Sequence, residues 1–173
     1  GGVFRTKTLD KKSEEAIGLE KINKEVLDKF GIQNGATHSE YIRGIAGQYY
    51  FLETSFRVGG AHIPDMVEAA TGVNIWREWA KLENALLDGE KYTVEETQKL
   101  YSGLIVSLAK EKHSNTDDLN NEHVEKFLPI DYHIGIVYKA TTADIIEERL
   151  DEAALIVTEQ ILNILPPKDK PTN

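Results

Sequence analysis

Apolar residues in the first part of the chain recur at spacings that predict one helix followed by two strands. Over 13–30 they return every three or four positions, which indicates a helix that Ser13 caps and Gly31 ends. Over 37–43 and 48–54 polar and apolar residues alternate instead, as is typical of half-buried strands. The Gly-Ile-Ala-Gly segment between them predicts a hairpin turn.

Two shorter helices are predicted after this hairpin. Pro64 fits the first turn of a helix that Gly72 ends, and Asn74 fits the cap of a second helix that runs to about residue 87. In the second helix the apolar spacing predicts a buried stripe. Its members are Trp76, Trp79, Ala80 and Leu86 or Leu87.

The rest of the chain predicts a smaller unit of strands and one long helix. Residues 101–108 and 132–139 have strand composition, with a polar loop at 112–121. Thr142 can cap a helix that continues to residue 164 or 165, before two prolines. The fold class that follows is α+β, an antiparallel sheet with flanking helices. A polar stretch around Gly89 divides it into 1–89 and 90–165, followed by a tail at 166–173.

Composition narrows the possible functions. The 173 residues suffice for one ordinary domain or two small ones, and 20 Lys and Arg against 29 Asp and Glu give a net charge of -9. Such an acidic chain is not expected to bind nucleic acid. The absence of Cys excludes disulfides, thiolate nucleophiles and zinc–thiolate sites. No apolar run could cross a bilayer and no signal sequence is evident, so we expect a cytoplasmic protein without a membrane partner.

The two predicted strands of the hairpin carry the candidate chemistry. Side chains alternate between the faces of a strand, so His38 and Glu40 share one side of the first. One side of the second strand holds Phe51, Glu53, Ser55 and Arg57. If the turn is 44–47, Glu40 faces Phe51 and His38 faces Glu53. The two acids then become diagonal neighbours on one face.

Two carboxylates about 5 Å apart repel by about 3 kcal/mol at an effective dielectric near 20, and a divalent ion would relieve that repulsion. Magnesium fits best, because it fills its shell with water and phosphate oxygens when the protein offers few ligands. Arg57 could hold a phosphoryl group or a carboxylate, and backbone N–H groups at Gly59 and Gly60 could approach an anion. The alternative is a solvated polar face with a weak ion pair, in which His38 and His62 are structural.

The segments ATHSEYI at 36–42 and YFLETSFRVGGAH at 50–62 together resemble the magnesium-site end of an ATP-grasp ligase, and the similarity covers roughly residues 3 to 84. The resemblance implies the C-terminal half of an ATP-grasp fold plus a smaller α+β subdomain. It also implies that Glu40 and Glu53 hold magnesium or manganese ions bridging ATP phosphates. Ser55 would be the third ligand, where the family usually has Asn. Arg57 would steady the phosphorylated intermediate. The implied substrate or phosphate contacts are Gly59, Gly60, His62 and His38.

In that family ATP phosphorylates a carboxylate, and an amine or another nucleophile captures the acyl phosphate. The implied partners are therefore ATP and a small carboxylate. Ala61 stands where biotin carboxylases have an acid, so the resemblance favours a carboxylate–amine ligase over a biotin-carboxylase-like enzyme. The family's upstream half does not fit in this chain, so we expect a C-terminal piece that does not turn over ATP alone. A non-catalytic interaction or oligomerisation module is the alternative, and a homo-oligomer stays open.

Overall fold

The computed structural model describes residues 2–94, 96–128 and 130–163. Within those ranges the elements run in chain order as β1 (Phe4–Lys7), α1 (Glu14–Phe30), β2 (His38–Arg43), β3 (Tyr49–Ser55), α2 (Ile63–Thr71), α3 (Ile75–Asp88), β4 (Tyr101–Leu108), β5 (Val124–Phe127), β6 (His133–Ala140) and α4 (Ala143–Ile156). A short 3-10 helix covers Asp117–Leu119, and a π-helical segment covers Val157–Ile161. Because the paired strands are antiparallel and helices flank them, the predicted α+β class is confirmed.

The main core surrounds a four-stranded antiparallel sheet in the order β1-β4-β6-β5. Helix α4 packs on one face of this sheet and α2 on the other. Neighbouring residues of β4 divide between the two faces, because side chains alternate along a strand. Ile105 belongs to the cluster under α4 and Leu104 to the cluster under α2, and both are 0% exposed. Truncating a side chain buried in this way typically costs about 2–5 kcal/mol.

The four-stranded sheet draws on distant parts of the sequence. The extended N-terminal segment forms β1, in which Phe4 pairs with Val106 of β4. Helix α2 also packs against this sheet, although it lies in the first half of the chain. The short strand β5 was not predicted, because its four residues are too few to show a period. The division of the chain at residue 89 stays a prediction.

Helix α4 begins as predicted, since Thr142 Oγ1 accepts a hydrogen bond from the Ile145 N–H at 3.4 Å. Its α-helical part ends at Ile156, earlier than the sequence indicated, and the chain continues as the π-helical segment. That wider turn leads Leu162 into a bridge with Ala109, next to β4. The predicted proline stop and the tail lie outside the described residues. No helix in the described ranges is long and apolar enough to cross a membrane.

Helix α1 packs against one face of the β2–β3 hairpin. The predicted caps of α1 are confirmed: Ser13 accepts from the Ala16 N–H, and Gly31 has the left-handed φ of 70°. The helix contacts the hairpin through the aromatic pair of Phe30 and Phe51, whose ring centroids are 6.4 Å apart, and through the hydrogen bond from Tyr41 to Asn23 at 3.0 Å. Within α1 only one residue, Ala16, is buried. The opposite face of the hairpin is therefore the one open to solvent and ligands.

The predicted buried stripe of α3 is wrong. The cap is as expected, because Asn74 accepts from the Arg77 N–H at 3.0 Å, but no residue of α3 is buried in the described structure. Trp76 is 56% exposed and Leu87 84%. Apolar spacing shows which residues share a helix face but not whether another layer covers it. Among the described elements, α3 packs mainly against α2.

Candidate functional site

The two candidate acids lie directly opposite each other on the hairpin. Glu40 pairs with Glu53 and His38 pairs with Ser55, so these four side chains share one face. The predicted pairings of Glu40 with Phe51 and of His38 with Glu53 are wrong. The strands are already shifted by one position beside the turn, where Arg43 pairs with Tyr49, and β3 then carries a bulge between residues 51 and 53. The extra residue shifts the pairing along the strand, yet it returns both acids to the same side.

Only weak local interactions balance the two like charges. His38 Nε2 lies 3.3 Å from Glu40 Oε1, and the Glu40 side chain is 49% exposed. Glu53 is also exposed. No lysine or arginine in the described part of the chain lies within ion-pair distance of the Glu40 or Glu53 carboxylate. By contrast, most acidic side chains of α4 and β5 have a lysine or arginine at that distance. Like charges directly opposite on a sheet are destabilising, so this face would gain from a bound cation.

His38 connects the hairpin to the following loop. A Cβ at Gly59 would lie 2.9 Å from His38 Nδ1, so the ring is packed against a backbone that only glycine leaves accessible. The His38 side chain is 22% exposed, which makes it the more buried member of the His38–Glu40 pair. The structure therefore brings Gly59 next to His38, on the hairpin face that carries Glu40 and Glu53. The sequence indicated this only because Gly59 follows the second strand closely.

Arg57 lies just past the end of β3. Its Nη1 donates to the Val58 carbonyl at 3.0 Å, and a Cβ at Gly60 would lie 4.0 Å from the same nitrogen. Val58 is 3% exposed and anchors this turn in the core. Among the described residues the guanidinium donates only to this backbone carbonyl, so most of its five donors stay available for a phosphate or carboxylate.

The glycine loop ends in a strained turn at the start of α2. Ala61 and His62 have φ values of 51° and 60°, a left-handed conformation that non-glycine residues rarely adopt in succession. His62 is the N-cap of α2 but makes no capping hydrogen bond, and Pro64 occupies the first turn as predicted. A cleft of about 390 Å³ opens beside this turn. Its lining is Gly59, Gly60, Ala61, His62, Pro64, Asp65, Glu68, Asn74 and Trp76.

His62 belongs to a chain of hydrogen bonds that sequence reasoning missed. Its Nδ1 lies 2.9 Å from Asp65 Oδ2, and Lys126 Nζ lies 2.6 Å from Asp65 Oδ1. Burial alone would raise the pKa of Asp65, but hydrogen bonds from Lys126 and His62 together hold it below its usual value. The spacing of His62 and Asp65 across one helical turn was a usable signal. Lys126 comes from β5, and no local pattern could have indicated it.

The metal-ligand set predicted from the sequence consists of Glu40, Glu53 and Ser55. Within the described ranges, no group of three or more His, Asp or Glu side chains is arranged to hold a metal ion. Two carboxylates and a hydroxyl nevertheless fit a hard ion that keeps several waters or phosphate oxygens in its shell. The geometry is thus compatible with a metal site whose remaining ligands are phosphate oxygens of a bound nucleotide.

Comparison with solved structures identifies the fold. The L-amino acid ligase from Bacillus licheniformis superposes with a TM-score of 0.67 at 16% sequence identity over 95% of this chain. Phosphoribosylglycinamide synthetase from Anaerococcus prevotii gives 0.58 at 17% over 94%. The biotin carboxylase domain of the Hydrogenobacter thermophilus 2-oxoglutarate carboxylase, solved with MgADP and bicarbonate, gives 0.56 at 17% over 92%. All three are ATP-grasp enzymes. The chain has an ATP-grasp fold.

This ATP-grasp fold is partial, since the chain spans 44%, 45% and 38% of the ligase, synthetase and carboxylase structures, respectively. No protein-family model matches the sequence, and a search of curated proteins finds no significant match. The likeness is therefore carried by three-dimensional structure rather than by overall sequence similarity. It confirms the resemblance that the hairpin residues indicated.

Proposed function

We propose that this chain supplies the magnesium and phosphate half of an ATP-dependent ligase, which activates a carboxylate as an acyl phosphate and joins it to an amine. The ATP-grasp fold supports the ligase class. The acids on the hairpin and the arginine beside the glycine loop support the phosphate chemistry. Phosphoryl transfer depends mainly on positioning and charge neutralisation, and these residues can provide both.

Each candidate residue has one role in this proposal. Glu40 and Glu53 hold Mg²⁺, or Mn²⁺ in its place, with Ser55 as a weaker neutral ligand on the same face. The metal, when bound, neutralises charge on the ATP phosphates. Arg57 holds the transferred phosphoryl group or the carboxylate that receives it, with its planar fork of donors. His38 orients Glu40 through the contact at 3.3 Å.

The observation that carries the proposal is the direct opposition of Glu40 and Glu53. Two carboxylates placed directly opposite each other destabilise a solvated hairpin face, whereas a cation bound between them would offset their repulsion. The bulge in β3 adds weight, because without the extra residue the regular pairing nearest the turn would place the two acids on opposite faces.

A carboxylate–amine ligase is favoured over a biotin-carboxylase-like enzyme, in which bicarbonate would be the acid that ATP activates. A carboxylate just before His62 would be needed to match the carboxylase pattern, and Ala61 provides none. The L-amino acid ligase, an amine-joining enzyme by its name, also shares the ATP-grasp fold with this chain. The carboxylase-like reaction is therefore the second choice.

Binding of Mn²⁺, followed by electron paramagnetic resonance with and without ATP, tests the metal site. We expect Glu53→Gln and Glu40→Gln to weaken Mn²⁺ binding at least tenfold, because each removes one of two charged ligands. Glu20→Gln is the matched control, since Glu20 is an exposed acid on α1 away from the open face. Equal Mn²⁺ affinity in all four proteins would refute the proposal. We also expect no ATP hydrolysis by the chain alone, which a phosphate-release assay checks.

A non-catalytic interaction module remains the second candidate function. Apolar side chains on and near the open hairpin face favour it, since Ile42, Leu52 and Trp76 are each more than half exposed. Analytical ultracentrifugation distinguishes the two functions. A stable oligomer that does not bind Mn²⁺ favours the module, and a monomer that binds Mn²⁺ favours the ligase.

A further inference from the structure

The hydrogen-bonded chain of Lys126, Asp65 and His62 connects the cleft to the four-stranded sheet. Asp65 lies in the first turn of α2, and its side chain is 25% exposed. Lys126 reaches it from β5, with the two atoms 2.6 Å apart. The second half of the chain thereby contributes a charged group to the site, although its sequence offers no motif for such a role.

The ionic state of Asp65 determines which nitrogen of His62 carries the proton. Because its pKa is lowered by these partners, Asp65 is a carboxylate at neutral pH and can only accept hydrogen bonds. The contact at 2.9 Å therefore requires a proton on His62 Nδ1. In the neutral ring, Nε2 then carries the lone pair and can accept a proton.

The surroundings of His62 suit a proton acceptor for a cationic substrate group. Asp65 and Glu68 from α2 line the cleft together with the exposed ring of Trp76 from α3. Of the cations near this turn, Lys126 is paired with Asp65, and Arg57 lies beside Gly60. The charge lining the cleft is thus balanced or negative, which suits an ammonium group better than a phosphate.

We propose that His62 is the general base that deprotonates the amine nucleophile, and that Asp65 and Lys126 are positioning residues that hold its ring. This inference rests on the proposed function and names its amine-handling group. In the step, an R–NH₃⁺ group gives a proton to His62 Nε2. The freed amine pair attacks the acyl carbon, the bond from that carbon to the phosphate oxygen breaks, and the phosphate leaves with the second proton that the nitrogen releases, as hydrogen phosphate. The protonated imidazole then returns its proton to water.

The tautomer of His62 gives the first test, which needs neither ATP nor magnesium. Long-range ¹H–¹⁵N correlation spectra of the full chain at pH 8 distinguish Nδ1–H from Nε2–H rings. We expect wild type to have mainly Nδ1–H, and Asp65→Ala to shift the ring to mainly Nε2–H, since the acceptor is gone. An Nε2–H ring in the wild type, or unchanged populations in Asp65→Ala, would overturn the proposal.

Amine capture gives the second test. Acetyl phosphate serves as a preformed acyl phosphate and glycine as the amine, and mass spectrometry follows N-acetylglycine formation at pH 6–9. We expect wild type to accelerate the reaction, His62→Gln to be about 100-fold slower and Asp65→Ala about 10-fold slower, within the usual range of general-base effects.

Lys126→Met and Lys139→Met form a matched pair of controls. Each removes a lysine from the four-stranded sheet that lies 2.6 Å from a carboxylate, but Lys139 pairs with Glu125 rather than with Asp65. We expect Lys126→Met to slow amine capture severalfold and Lys139→Met to leave it unchanged. No acceleration by wild type, or equal rates in wild type and His62→Gln, overturns the inference. Failure of the Mn²⁺ test at Glu40 and Glu53 overturns the proposed function instead, because neither test of His62 uses the metal.

Discussion

Replacing Glu53 with Gln should make the metal-free protein more stable. In directly opposite sheet positions the Cβ atoms lie about 4.5–5.5 Å apart. Two unit charges about 5 Å apart repel by about 0.8 kcal/mol in water and about 3 kcal/mol at a dielectric of 20. Because Glu40 is 49% exposed and Glu53 is also exposed, the lower figure applies. We therefore expect the free energy of unfolding of Glu53→Gln to rise by about 0.5–1 kcal/mol at low salt.

Magnesium should reverse the order of the two proteins. A ligand that binds only the folded state stabilises it by RT ln(1 + [L]/Kd), about 1.4 kcal/mol at a concentration ten times Kd. Wild type should gain this stability with added Mg²⁺, whereas Glu53→Gln should gain much less because it lacks one charged ligand. Urea unfolding followed by circular dichroism at pH 8, with and without 10 mM Mg²⁺, measures both effects.

Salt and a control variant identify the cause. Raising NaCl to 0.5 M should reduce the metal-free difference, since the Debye length falls to a few ångströms. Glu20→Gln should show neither effect, because that acid is exposed on α1, away from the open face. The reasoning is refuted if Glu53→Gln is no more stable than wild type without metal and Mg²⁺ stabilises both proteins equally.

Three further changes test the packing. Gly103→Ala should cost about 1–3 kcal/mol in urea unfolding, since its Cβ would meet Ile146 and Leu150 within 3.0 Å; unchanged stability would mean that α4 can shift freely. Burial raises the pKa of Tyr138 to about 12, so the free energy of unfolding should be highest below pH 10 and should fall between pH 10 and 12. Tyr138→Phe should remove that fall, and an alkaline profile identical to that of wild type would contradict the prediction. Asn74→Ala should remove about 1 kcal/mol of capping, measured as faster amide exchange confined to α3; unchanged exchange would show that the cap contributes little.

Local chemistry explains the parts of the fold that the sequence predicted. Ser13 and Gly31 cap the two ends of α1, where backbone N–H and C=O groups lack partners within the helix. Capping involves only residues close in sequence, so a local pattern can predict it. The alternation of polar and apolar residues in β2 and β3 is also a local pattern, because successive side chains point to opposite faces and α1 covers only one of them. These signals were sufficient to place the candidate acids on two paired strands.

The parts that could not be predicted depend on distant partners or on an irregularity. Nothing in the alternation indicates that Arg43 pairs with Tyr49 beside the turn or that Leu52 is the extra residue of a bulge, so the predicted register was wrong although the acids do share one face. Trp76 is exposed because α3 packs mainly against α2 in the described part of the chain, and no periodicity within the helix reveals which of its faces is covered. Lys126 meets Asp65 across 61 positions of sequence. Only the folded sheet brings that pair together.

The pairing of β1 with β4 also affects when the protein can fold. A ribosome that adds about 5–20 residues per second needs roughly 5 to 20 seconds after β1 emerges to complete β4. Throughout that interval the first strand has no partner strand, whereas α1 and the hairpin are complete once Ser55 has emerged, about halfway through it. The acidic face can thus form early during synthesis, and the sheet that holds Lys126 against Asp65 closes last.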